Sequence, residues 1–365
     1  MNSKPFFAFI LGTRPEIIKL YSLITYAKEH KLKYCIIHTN QHYDKDMDEI
    51  FFKELGLPKV NFNLNIGSGT QGDQTGRMLI ELEKILIKIK PTHVFVQGDT
   101  NTVLAGSLVA SKLHIKVCHV EAGLRSYDNE MPEEINRIIS DHISDYLFCP
   151  TKKQADILIK EGIDKKKIFI TGNTIVDAIY SCSKLALKKS NVLKTYDLKK
   201  DKYFLLTCHR PSNTDNQGNF KTIIKSIDNL CKKEGIKCIF PMHPRLNSKK
   251  EFLSGFKNIL VTHPLGYLDL LNLQINSKMI FTDSGGIQEE SCILKKKCVI
   301  LRLNTERPET VKVGGAMILK EVSENEISKT YHTLINKKIN WSNPFGDGKT
   351  NIKIFKILKN GTPSL

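Results

Sequence analysis

Arginine is scarce in this chain: among its 55 basic residues only eight are Arg and the rest are Lys. Lys is a mobile point charge suited to a solvated surface, whereas the planar guanidinium holds a phosphate or carboxylate in two parallel hydrogen bonds. Arg14, Arg77, Arg125, Arg137, Arg210, Arg302 and Arg307 therefore mark where an anionic ligand is to be sought. The Lys are dispersed through helix-like segments and no basic run alternates with aromatics. A net charge of +17 by itself suggests a nucleic-acid or membrane partner, but this dispersal favours a solvated Lys-rich surface and no such partner.

No stretch of about 18 apolar residues is present, which excludes a membrane-spanning helix. The apolar run Phe6–Leu11 is too short for a signal h-region and enters a charged loop at once. The nine cysteines, at 35, 118, 149, 182, 208, 231, 238, 292 and 298, form no C-x-x-C pair. Most end apolar strand-like runs, as small buried hydrophobes of a reducing compartment do. A cytoplasmic location is expected. Tandem repeats and low-complexity tracts are also lacking.

What is present is alternation. Short apolar runs alternate with longer amphipathic segments throughout, the pattern of βαβ units on a parallel sheet. A chain of 365 residues exceeds the size of one growing core, so two domains of about 170 residues are expected. Strand candidates in the first half are Phe6–Leu11, Lys33–His38, His93–Gln97, Lys116–Glu121, Tyr146–Cys149 and Ile168–Ile170. In the second half they are Tyr203–Cys208, Lys237–Pro241, Ile259–Thr262, Met279–Phe281, Cys298–Leu303 and Ala316–Leu319. Two doubly wound α/β domains result, over 1–180 and 203–342, with 181–202 as a linker centred on the polar Lys184–Lys202 stretch. In such sheets ligands sit at the carboxyl ends of strands, where the strand order reverses.

Several segments fall at those ends. Asp283-Ser284-Gly285-Gly286 follows an apolar strand and opens a helix containing Glu290, so backbone N–H groups and the helix dipole can meet a phosphate while Glu290 reaches ribose hydroxyls. Gly12-Thr13-Arg14-Pro15-Glu16 makes a second anion loop, with Lys19 one turn further on. Gly67-Ser68-Gly69-Thr70-Gln71-Gly72 matches G-x-G-x-x-G, but the half-polar VNFNLNI segment before it is not the first strand of a βαβ unit; a turn is expected and no dinucleotide. Asp99 and Glu121 each end an apolar strand beside a Gly, and Glu133-Glu134 open a helix containing Arg137. Acids gathered at one sheet edge would raise one another's pKa and suit general acid or base work. His209-Arg210 and His243 end successive strands of the second half, and no spacing of ligands suggests a metal.

Taken together, GTRPEIIKL, QGDTNTVLAG, HVEAGLRS, MPEEINRIISDHISD, ITGNTIVDA, TDSGGIQEE and NTERPET resemble the non-hydrolysing UDP-N-acetylglucosamine 2-epimerase family over nearly the whole chain. The resemblance implies two Rossmann-like domains facing across a cleft, of the glycosyltransferase-B type. A C-terminal helix within 343–365 would cross back to the first domain. It implies interconversion of UDP-N-acetylglucosamine and its manno epimer by elimination of UDP to a 2-acetamidoglucal and re-addition, in a homodimer without cofactor. By resemblance, Asp99, Glu121 and Glu133 are acid/base carboxylates and His209 contacts the diphosphate. Arg14 and Lys19 are cleft charges, and Ser284, Gly285, Gly286, Glu290 and Arg307 match the UDP-binding motif; Arg137, Arg210 and His243 complete the substrate-binding set. Where many bacterial members carry QHR followed by Met-Leu in a segment that binds an activating second substrate molecule, this chain reads Gln41 to Met47 differently. The CHRPSNTDN segment is closer to branches acting on modified UDP-sugars, so a substrate altered at C3 or C6 stays open. A hydrolysing epimerase, a glycosyltransferase of the same architecture and a nucleotide-sugar sensor are the other readings.

Overall fold

The computed structural model describes residues 4–41 and 51–361. Runs rich in Val, Ile, Phe and Leu form strands buried on both faces, as a parallel sheet covered by helices requires. In the first half these are β1 Phe6–Leu11, β2 Lys33–His38, β3 Phe62–Asn63, β4 His93–Gln97, β5 Lys116–Val120, β6 Tyr146–Cys149 and β7 Ile168–Ile170. In the second they are β8 Tyr203–Thr207, β9 Lys237–Pro241, β10 Ile259–Thr262, β11 Met279–Thr282, β12 Cys298–Ile300 and β13 Ala316–Ile318. The spatial orders are β3-β2-β1-β4-β5-β6-β7 and β10-β9-β8-β11-β12-β13. All neighbours pair in parallel.

Both orders reverse at the first strand of their half. β1 lies between β2 and β4, with Phe7 opposite Tyr34 on one side and His93 on the other. β8 lies between β9 and β11, with Thr207 opposite Thr282. The loops after β1 and β4, and those after β8 and β11, therefore flank the two switch points. Only β3 was illegible in the sequence. It is a two-residue edge strand on β2, and its partly exposed Phe62 and Asn63 give no apolar run.

The chain divides after Ser181 and after Pro344 into two compact units, and the segment from Phe345 belongs with the first. Aromatic packing accounts for that return. Phe355, on the helix Thr350–Gly361, meets Phe7 edge-on at 5.4 Å and stacks on Tyr26 at 4.6 Å. Asp177 accepts the Asn351 N–H at the start of that helix (3.0 Å). Residues 181–202 are not the linker that their polarity suggested. Helix Thr174–Lys189 runs through the division and is followed by helix Val192–Thr195, and Val192 and Leu198 bury against Tyr203, Leu205 and Leu273. Burial of a few apolar groups was enough, and the abundant Lys simply lie on the outside. Among the described residues no helix is long and apolar enough to cross a membrane.

Candidate active site

At the first switch point a Cβ on Gly12 would fall 2.1 Å from Thr39 Oγ1 and 2.4 Å from Thr102 Oγ1, so only glycine lets β1 end here. Helix Arg14–Glu29 follows behind N-cap Thr13, with Glu16 at the third helical position of a capping box. Glu16 Oε2 accepts the N–H groups of Gly12 (2.6 Å) and Thr13 (2.8 Å), and Oε1 accepts the Thr100 hydroxyl. Burial outweighs these bonds and lifts the Glu16 carboxyl to about 7. One side chain thus ties the loop after β1 to the loop after β4.

Lys19, one turn further on, reaches Glu121 Oε2, which also accepts from the Gln97 amide. Glu121 is buried and held at φ +68°, a left-handed backbone that a non-glycine residue adopts at some cost. The N–H groups of Glu121 and Ala122 both donate to the Phe148 carbonyl, at 3.1 and 3.2 Å, which keeps the turn in place. Asp99 Oδ2 accepts from Arg137 Nε (3.0 Å) and Nη2 (2.6 Å), and Arg137 Nη1 donates to Glu134 at 2.6 Å. Asp99 and the exposed Glu133 line one polar cavity of 390 Å³ with Thr13, Gln41, Gln74 and Asn136. Ser68 and Gly69 of the G-x-G-x-x-G stretch line it too, directly before helix Gln71–Ile89, so that turn belongs to this site.

The acids do not press on one another as their clustering in sequence suggested. Asp99 meets Arg137, Glu121 meets Lys19, and Glu134 shares Arg137. Three of the arginines singled out are used internally. Arg77 pairs with Asp73, Arg302 with Glu306 and Asn304, and Arg125 is buried between Asp141 and Glu161.

At the second switch point the loops after β8 and β11 are joined by Asp283. This fully buried carboxylate accepts the N–H groups of His209 (3.1 Å) and Arg210 (3.0 Å) and the Asn213 amide (3.1 Å). His209 Nδ1 lies 3.4 Å from Asp283 Oδ1, and its ring stacks with that of His243 at 6.0 Å. Ser284 caps helix Gly285–Ile293. A Cβ on Gly285 or Gly286 would meet nothing nearer than 3.6 Å, so packing does not demand glycine at either. Glu290 is buried, with Oε2 accepting from Gln274 at 2.6 Å; Arg307 Nε lies 3.2 Å from Glu289 Oε2. Arg14, first residue of its helix, is half-buried.

The clamping roles of Glu16 and Asp283 were missed in the sequence, although Thr13-x-x-Glu16 carries the capping-box signature that could have pointed to the first. The altered segment after Gln41 lies outside the described residues. A larger depression of 660 Å³ beside β10, lined by Met242, Leu253, Phe256 and Val261 among others, holds none of the acids or arginines above. Among the described residues no cluster of three His, Cys, Asp or Glu side chains is placed to hold a metal ion.

Comparison with known proteins bears on the same arrangement. Residues 25–359 match the model of the UDP-N-acetylglucosamine 2-epimerase family. The chain is 53% identical over 362 residues to a UDP-N-acetylglucosamine 2-epimerase of Methanocaldococcus jannaschii, covering 97% of this chain and 99% of that one. The crystal structure of the M. jannaschii UDP-GlcNAc 2-epimerase in complex with UDP-GlcNAc and UDP matches with a TM-score of 0.84 at 51% identity, over 98% of this chain and 100% of that one. A UDP-2,3-diacetamido-2,3-dideoxy-D-glucuronate 2-epimerase of Pseudomonas aeruginosa is 38% identical over 354 residues, 96% of this chain and 98% of the relative. With the motifs spread over both units and the match running nearly end to end, the chain belongs to the UDP-N-acetylglucosamine 2-epimerase family.

Proposed function

We propose that the protein interconverts UDP-N-acetylglucosamine and UDP-N-acetylmannosamine. The observation that carries the reading is the set of acids at the first switch point, with Asp99 oriented by Arg137 and Glu121 by Lys19, in a chain 53% identical to an enzyme of that name. The proton on C2 of the sugar is not acidic, because no carbonyl adjoins it in the ring. Elimination avoids the obstacle: the C1–O bond breaks and expels UDP while a base takes the C2 proton, leaving a 2-acetamidoglucal. UDP then adds back at C1 as a proton is delivered to the opposite face of C2, so the atoms balance and no cofactor is needed.

In this reading Asp99, Glu121 and Glu133 handle the proton, and the buried, strained Glu121 beside Lys19 suits a fixed base. His209, Arg210 and His243, with the N–H groups after Ser284, meet the charge on the departing diphosphate. Arg14, Lys19 and Arg137 orient substrate, and Glu290 and Arg307 hold the nucleoside. A C3- or C6-modified UDP-N-acetylhexosamine is the second reading, favoured by the diacetamido relative at 38% identity. A homodimer is supported by Ile135, Ile138 and Ile139, exposed together on helix Pro132–Ile143, and is checked by sedimentation. Nine free, buried cysteines accord with a reducing cytoplasm.

The test is NMR of a panel of UDP-sugars incubated with the protein in D2O. Epimer carrying deuterium at C2, without net release of UDP, is expected. Product without deuterium, or accumulation of free UDP, sinks the non-hydrolysing mechanism. For Glu290→Ala, UDP affinity should fall by about 1–3 kcal/mol, the size of a hydrogen bond to a charged group. Calorimetry showing unchanged affinity returns Glu290 to packing against Gln274.

A further inference from the structure

One buried cluster touches all three segments that carry the acids, and the reaction outlined above does not use it. His119, on β5, is enclosed, with Nδ1 at 2.7 Å from Asp141 Oδ1 and Nε2 at 2.8 Å from the carbonyl oxygen of Gly98. A carboxylate and a carbonyl are both acceptors, so both ring nitrogens must carry protons and the ring is an imidazolium. Its charge is met locally. Asp141, on the helix that begins with Glu133, accepts from His119 through Oδ1, and through Oδ2 from Arg125 Nη1 (2.7 Å) and the Gly123 N–H (3.2 Å). Arg125 also donates to the Leu124 carbonyl and, through Nε and Nη2, to Glu161. Two cations and two anions alternate, which is the condition for keeping such charges out of water.

The attachments are specific. Gly98 precedes Asp99 and is held from both sides, since its N–H donates to the Val120 carbonyl (3.1 Å) and its C=O accepts from His119. Gly123 follows Glu121 by two residues, and a Cβ there would meet the Gln154 carbonyl at 2.6 Å, so the turn is glycine by necessity. We propose that His119 and Asp141 are positioning residues that lock the Asp99 and Glu121 turns to each other and to the Glu133 helix. Burial acts to depress the His119 pKa, but Asp141 and the Gly98 carbonyl outweigh it and leave the pKa raised, while Arg125 opposes them; Cys149 on β6 is the other titratable neighbour of Asp141. Asp141 is correspondingly lowered: His119 and Arg125 overcome its burial.

The inference rests on the epimerase reading for its kinetic arm, so it is tested in two ways. Ring ¹⁵N spectra of the wild-type protein, with His119 assigned through His119→Gln, report protonation without turnover. Both ring nitrogens should stay protonated above the ordinary imidazole range, and a ring that loses its proton within or below that range overturns the proposal whatever the variants do. Asp141→Asn keeps the shape but removes the charge that sustains the imidazolium. In that variant kcat for C2 exchange should fall about 10- to 100-fold, with KM and UDP affinity within about threefold of wild type. Unchanged kcat overturns positioning, and so does a proportional loss of kcat, UDP affinity and folded fraction, which is what a merely structural role predicts. If the variant does not fold, the ring spectrum decides alone. If the wild-type protein turns over none of the UDP-sugars, the functional reading has failed while the ring spectrum still judges the cluster.

Discussion

At both switch points a buried carboxylate joins two neighbouring loops, Glu16 linking Gly12 and Thr13 to Thr100, and Asp283 linking His209 and Arg210 to the end of β11. The equipment hung on these similar frames differs. The first edge presents side-chain acids, Glu121 and Asp99 among them matched to cations, whereas the second presents imidazoles, a guanidinium and the start of a helix. One topology, used twice, thus carries carboxylates at the switch point of one unit and imidazoles, a guanidinium and a helix start at that of the other, which under the proposed reaction suit proton transfer and a negative leaving group. The clamps differ as well. Glu16 accepts two backbone N–H groups and a hydroxyl and is pushed up to about 7 by burial, while Asp283 accepts two backbone N–H groups and an amide.

That division is broken most sharply on the proton side. Glu121→Gln preserves shape but removes the base, and C2 exchange in D2O should fall by about 10²–10⁴, with UDP affinity by calorimetry unchanged. Activity within tenfold of wild type would move the base elsewhere. On the anion side, Asp283→Ala strands three donors, the buried Asn213 amide and the part-buried N–H groups of His209 and Arg210, so chemical denaturation should show a loss of about 2–3 kcal/mol at roughly 1 kcal/mol per donor. A loss below 1 kcal/mol would mean that the two loops hold themselves.

Glu16→Gln sharpens the contrast between the clamps through pH. A carboxyl whose folded pKa lies above its unfolded value binds its proton more tightly in the folded state. Its contribution is therefore full below about pH 4.5 and is lost as pH rises to about 7. At about 1.4 kcal/mol per unit this amounts to up to roughly 3 kcal/mol across that window. Stability curves at pH 5 and 7.5 should diverge for wild type and converge for the variant; equal divergence in both removes Glu16 as the cause. The smallest effect belongs to Arg77→Ala. Its pair with Asp73 is an exposed helical one and it also donates to the Ile66 carbonyl, so stability should drop by about 1–2 kcal/mol and UDP affinity should not move. An affinity change there would restore Arg77 to the ligand set.

The strands were legible because continuous apolar runs and their flanking turns survive in the linear sequence; β3, with one half-exposed and one exposed residue, left no such trace. The linker was misjudged because Lys is as good a helix former as it is a solvated one, and burial of Val192 and Leu198 needs few residues. The acids and glycines at strand ends were legible one by one. Their partners were not, since Lys19 lies 102 residues from Glu121 and Asp283 lies 74 from His209, separations that only the parallel crossovers bring together. For the same reason Arg125 read as an anion binder until Asp141 and Glu161 were placed on either side of it.

The return of Phe355 to Phe7 and Tyr26 has a consequence for biosynthesis. A ribosome makes β1 well before the helix bearing Phe355, so an apolar flank of the earlier segment stays uncovered while every strand of the second sheet emerges. Completion of the first unit is thereby deferred until the second has emerged, and the nascent protein must keep that flank from sticking to its neighbours until then.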